Sequence, residues 1–195
     1  MYIVISGIFL FTFGHMFKRL FPSLREYIDR KFGEKLGKGF VGLFLVSGFL
    51  LISFGYYHNE FDIYLYYSPP WLYAVTHLMM FCSLGLITLK EAPFGHASRL
   101  KKYFKHPMLT GLIVWSASHL LINGTLMAVI LFGGLGVWGA IEIYLLEKNN
   151  SNTPEPEESQ GTLIGDMSFL GRIILIYVIL ILIHIYLGGN VYPFL

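Results

Sequence analysis

The sequence predicts an all-α fold, a polytopic transmembrane helical bundle of about six spans, and three observations predict it. Hydrophobic residues make up 55% of the 195-residue chain and charged residues 13%, where a soluble domain carries roughly a quarter charged. Six apolar stretches recur along it, most of them near the ~20 residues that cross a hydrocarbon core of ~30 Å. Lys and Arg collect in alternate connections, the charge asymmetry that orients a multi-pass chain. The mean hydropathy of +0.61 agrees, and one transmembrane domain, residues 1–195, accounts for the whole length.

The first span is expected over residues 2–20, with Phe21-Pro22 ending it. It lacks a basic leading region and a small-residue cleavage site, so it reads as a retained helix rather than a signal peptide. Ser23 to Lys38 is polar and basic, with Leu24, Tyr27, Ile28, Phe32 and Leu36 at three- to four-residue spacing. That spacing predicts an amphipathic helix on the membrane surface. The second span covers 39–57 and offers Gly42, Gly48 and Gly55 for close helix packing. Pro69-Pro70 introduces the third span, 71–89. Pro107 suits the first position of the fourth span, 107–122, and Asn123-Gly124 reads as a turn after it. The fifth span covers 125–146 and the sixth 167–187; between them a polar stretch, 147–165, predicts a flexible cytoplasmic loop. A five-span arrangement with the short fourth segment re-entrant is the alternative.

Loop one holds seven Lys and Arg, loop three five and loop five one, while the intervening connections hold none. Loops one, three and five are therefore expected in the cytoplasm, with both termini periplasmic. Tyr and Phe grouped near segment ends fit interfacial belts. The one cysteine, Cys82, rules out a disulfide framework. The sequence has no Walker loop, no GxGxxG and no nucleic-acid signature. The lipid bilayer is the expected partner, together with a membrane redox protein.

Four of the seven histidines, His15, His77, His119 and His184, fall inside expected spans. An ionisable side chain inside a bilayer is costly and normally faces a partner, a cavity or a cofactor. Each alone reads equally as a helix-packing residue; four on four spans point to a shared haem or metal site, since imidazole is the usual haem ligand. Counting rise per residue puts His119 roughly 18 Å from the cytoplasmic side, His77 and His184 roughly 21 and 24 Å, and His15 roughly 10 Å. By depth His77 pairs with His119 better than His15 does. His106 starts a helix at the cytoplasmic interface, where it is either an anchor beside Lys105 or a catalytic candidate facing an anion. Asn123 is a secondary ligand-binding candidate or a plain turn residue. Glu142 is expected to pair with a basic residue of loop three, and Arg25 and Arg99 to meet lipid phosphates or haem propionates. Gly133-Gly134-Leu135-Gly136 reads as packing.

Several stretches carry a resemblance: FGHMFKRLFPSLR from Phe13 to Arg25, PPW from Pro69 to Trp71, KHPMLTGLIVWSASHLLINGTL from Lys105 to Leu126, LFGG from Leu131 to Gly134, and His184 in the last helix. On these the chain resembles the NnrU family of bacterial integral membrane proteins over nearly its whole length. The resemblance implies an inner-membrane protein linked to denitrification and nitric oxide metabolism. That family is similar in turn to plant zeta-carotene isomerase, which implies haem b with iron ligands at His15 and His119 and an isomerase-like activity. The isomerase also has a cysteine three residues before its second histidine, where this chain has Ser116. A more distant similarity, through His106, Pro107 and Gly111, implies a membrane S-adenosylmethionine-dependent methyltransferase with His106 at the donor site, loosely echoed by Glu142 and Glu147. A cofactor-free assembly factor is the third alternative.

Overall fold

A computed structural model of the protein describes residues 1–59, 62–89, 98–149 and 161–187. The described residues form α1 (Tyr2–Leu20), α2 (Pro22–Phe32), α3 (Glu34–Tyr57), α4 (Leu72–Thr88), α5 (Pro107–Ile122), α6 (Leu126–Ala128), α7 (Gly134–Asn149) and α8 (Leu163–Tyr186). A 3₁₀ turn, Arg99–Tyr103, precedes α5, and a π-helical turn, Val129–Gly133, joins α6 to α7. No strand forms among the described residues; Tyr64 and Thr125 make an isolated antiparallel bridge.

The all-helical expectation holds, but the span count is corrected. Three helical stretches are long and apolar enough to cross a membrane: Glu34–Tyr57, Leu126–Lys148 and Leu163–Tyr186. A fourth is reached if Tyr2–Phe17 and Pro22–Phe32, bent by 77°, count as one. α4 and α5 have 17 and 16 residues, only about 25 Å of helix against a core of ~30 Å. Pro107 and Asn123 bound α5, and Pro69-Pro70 keep α4 from starting earlier. Most residues of the longest spans expose their apolar side chains, Leu43 and Phe49 on α3 and Leu175 and Leu182 on α8 among them. Such surface belongs in lipid, and the protein is a membrane protein.

Two compact units are present, one made of Met1–Tyr64 with Thr125–Gly134 and the other of Leu65–Gly124 with Leu135–Leu195. In the first, α1 packs along α3 with backbones touching. A Cβ added at Gly48 would stand 2.6 Å from the Phe11 nitrogen, and one at Gly7 would stand 2.8 Å from the Gly48 carbonyl. Small residues allow this approach where lipid offers helices no hydrophobic drive to associate. Gly42 has nothing within 4 Å, so the packing expected of it falls to Gly48 and Gly55. Pro22 starts α2, which buries no residue; the amphipathic helix expected over Ser23 to Lys38 is broken at Gly33, at φ 85°, so Leu36 falls in α3. The Arg25 guanidinium donates to Asp29 and to the Gly37 carbonyl, both at 2.8 Å. It braces α2 against α3 and is thereby committed within the protein rather than to lipid.

In the second unit α4 and α5 are the closely packed pair. A Cβ at Gly111 would lie 2.9 Å from both the Ile87 nitrogen and the Ser83 carbonyl. The Ser83 hydroxyl donates to the Gly111 carbonyl at 2.7 Å. α7 meets α5 where Gly136 faces Ser116 and Gly139 faces Ile113. α8 joins α4 through Leu89, Phe169 and Ile173. Its first turn is held by Asp166, which accepts from the Ser98 hydroxyl and the Arg99 backbone at 2.8 Å and pairs with the Arg99 side chain. Arg99 too is committed within the protein. The greater part of the expected flexible loop, 150–160, and half of loop three, 90–97, lie outside the described residues.

Candidate functional site

α4, α5 and α8 enclose a cleft of about 230 Å³, or about 920 Å³ with the space open to its surroundings included. Three of the expected histidines line it, one from each helix: His77, His119 and His184. The rest of the wall is largely apolar, with Met80, Leu84, Trp115, Leu180 and Ile181 among its members. The helical period explains the α5 face. Trp115, His119 and Ile122 stand three and four residues apart and share one side.

The imidazoles of His119 and His184 lie with ring centres 6.5 Å apart, their planes at 43°. Each is tied to its own helix. His119 Nδ1 bonds the Trp115 carbonyl at 3.0 Å and His184 Nδ1 bonds the Leu180 carbonyl at 3.1 Å. A carbonyl can only accept, so Nδ1 carries a proton in both rings, and Nε2 is the nitrogen left to meet a ligand. His77 is held by another route: the Tyr177 hydroxyl lies 2.7 Å from His77 Nδ1 and 3.2 Å from the His77 carbonyl. Hydrogen bonds of this kind orient metal-binding histidines in general. Among the described residues no group of three or more His, Cys, Asp or Glu stands close enough to hold a bare metal ion.

His15 lies on α1 in the first unit, its ring edge-on to Phe11 at 4.8 Å. Asn123 does not line the cleft; it closes α5, its amide and backbone nitrogens both donating to the His119 carbonyl, at 3.0 and 2.9 Å. The Tyr66 hydroxyl adds bonds to the Leu120 and Asn123 carbonyls, and Ser68 one to Leu121. Gly124 is required by backbone proximity, because any Cβ there would strike the Tyr66 carbonyl. Ser116 is buried and faces Gly136 on α7, away from the cleft.

His106 stands at the start of α5 with Nε2 2.7 Å from Glu147, whose other oxygen takes Lys105 at 2.6 Å. Glu147 thus holds two basic partners, and Glu142 is buried. Tyr177 was missed altogether, since nothing in an apolar helix marks one tyrosine as facing a histidine 100 residues away.

No curated protein and no solved structure matches the chain. The family model described as NnrU protein matches residues 3–191, nearly the whole length. The chain belongs to the NnrU family.

Proposed function

We propose that the protein is a haem b-binding membrane protein, with His119 as one iron ligand and His184 as the other. The facing of these two imidazoles across an apolar cleft carries the reading. His119 and His184, with ring centres 6.5 Å apart, would hold the iron. A bare ion asks for about four protein ligands, whereas a haem brings four nitrogens of its own and asks the protein for one or two. Apolar walls and Nδ1–carbonyl bonds suit that arrangement. The resemblance assigns the second ligand place to His15 instead, and single variants separate the two.

Bound there, haem supplies one-electron redox chemistry. The chain's part is to hold two oriented imidazoles in an apolar setting. The role this supports is in a redox or nitrogen-oxide pathway, linked to denitrification, of the bacterial inner membrane, with both termini periplasmic and a membrane redox protein as partner. An isomerase-like reaction would use the same cleft. The second reading, a methyltransferase, has one observation in its favour, the His106–Glu147 contact at the cytoplasmic start of α5. It predicts that His106→Ala abolishes S-adenosylmethionine binding. The haem reading is tested by the spectrum of the detergent-purified protein, oxidised and then reduced with dithionite. Sharp reduced α and β bands are expected. A featureless spectrum that added haem does not change would refute it.

A further inference from the structure

Arg25 and Arg99 are committed within the protein, but not every cation of their two connections is. Around α2, Arg25 pairs with Asp29, Arg30 with Glu26 and Lys38 with Glu34. Every acid from Pro22 to Lys38 is thereby matched, and Lys31 and Lys35 are left without an acidic partner among the described residues. Before α5, Arg99 pairs with Asp166 and Lys105 with Glu147. Lys101 and Lys102 are left in the same way among the described residues. Each compact unit thus carries one pair of lysines whose charge nothing in its own surroundings neutralises.

Both pairs stand among exposed apolar side chains. Lys31 Nζ lies 5.4 Å from the ring centres of Tyr27 and Phe32 and donates to the Tyr27 hydroxyl at 3.0 Å. Leu24, Tyr27 and Lys31 follow the helical period and share one side of α2, and both rings and Leu24 are exposed. Lys102 Nζ lies 5.0 Å from the Tyr103 ring centre. Leu100 and Tyr103, three apart in a 3₁₀ turn, stand on one side of it, and both are exposed. A ring held under an ammonium fixes where that charge points. In the first unit the backbone adds a direction. α1 packs along α3, and α2 leaves α1 at 77°, so it runs across these helices rather than beside them.

We propose that these two patches, Lys31 with Lys35 and Lys101 with Lys102, bind the headgroups of anionic phospholipids. A bilayer interface takes both halves of each patch at once, with rings and leucines at the acyl boundary and ammoniums among the phosphates. A soluble acidic peptide offers the charge without the boundary. A zwitterionic headgroup offers the same phosphate diester but carries its own cation, which two adjacent lysines repel. The contact is electrostatic, and no bond is made or broken.

The test is native mass spectrometry of the whole chain, released from detergent micelles holding equal amounts of phosphatidylglycerol and phosphatidylcholine. A lysine near an anionic surface contributes about fivefold in binding. The first lipids retained are therefore expected to be phosphatidylglycerol by about fivefold or more. Lys31→Gln with Lys35→Gln, and Lys101→Gln with Lys102→Gln, should each lose part of that preference, and the four changes together should abolish it. The same four residues changed to Arg should keep it, which separates loss of charge from loss of fold. Equal retention of the two lipids by wild type, or a preference unchanged in the four-glutamine variant, would overturn the proposal. So would inorganic phosphate, added in equal amount, appearing as the adduct in place of the lipid.

Discussion

Replacing Gly111 by alanine puts one carbon where α4 and α5 have no room for it. The added Cβ would lie 2.8 Å from Ile87 Cγ1 and 2.9 Å from the Ile87 nitrogen and the Ser83 carbonyl. Two of these three are backbone atoms and cannot rotate aside, so the helices must part by several tenths of an ångström. Overpacking of this kind costs about 1–3 kcal/mol. Parting also stretches the 2.7 Å bond from Ser83 to Gly111, adding about 1 kcal/mol. A total loss of about 2–4 kcal/mol is expected. The assay is equilibrium unfolding in mixed detergent micelles, with two alanine controls in the same unit. Gly139→Ala would meet the Ile113 side chain at 3.2 Å, an atom able to move, and should be nearly neutral. Gly171→Ala meets nothing within 4 Å and should gain about 0.5–1 kcal/mol from helix propensity. Equal stability of Gly111→Ala and Gly171→Ala would refute the close approach. Because Ser83 and Ile87 also line the cleft, Gly111→Ala should alter ligand binding there as well.

Three further outcomes follow from the geometry. Ser116→Cys puts a thiol on a side chain that faces Gly136; under the haem reading the visible spectrum should stay that of wild type, and a thiolate signature would contradict the placement. Tyr66→Phe removes the hydroxyl that bonds Leu120 and Asn123 and should cost about 1 kcal/mol in the same unfolding assay. Glu147→Gln weakens the contacts to Lys105 and His106; its ion pairing is exposed and should be screened by salt, so any loss of stability should shrink as salt is raised.

Composition alone carried the fold class, because a chain this apolar and this poor in charge can satisfy its backbone in lipid only as helices or a closed barrel. Helix ends were legible where they rest on local chemistry: Pro22 and Pro107 start α2 and α5, and both α1 and α5 end where expected. The span count was not, because a run of apolar residues does not reveal that α4 and α5 stop short of a full crossing. Nor was the π-helical turn at Val129–Gly133, where a stretch that reads as part of one continuous fifth span hides an altered hydrogen-bond register. For the site, the expense of intramembrane histidines singled out His15, His77, His119 and His184; the structure gathers the last three around one cleft, while His15 lies on α1 in the first unit. Depth counted along separate helices favoured His77 over His15 as the neighbour of His119, and His77 and His119 do line one cleft, but the count did not show that His184 comes within 6.5 Å of His119. Depth says nothing about rotation around a helix axis, and tilt blurs it further. The contacts that orient the histidines, Tyr177 above all, join residues far apart in the chain and carry no local signal.

The most direct test of the account compares reduced spectra of wild type, His119→Ala, His184→Ala and His15→Ala, each purified at equal yield. The account predicts low-spin α and β bands in wild type and in His15→Ala, loss of bound haem in His119→Ala, and a high-spin spectrum in His184→Ala. Low-spin bands persisting in His184→Ala while His15→Ala loses them would contradict it and move the second ligand to His15.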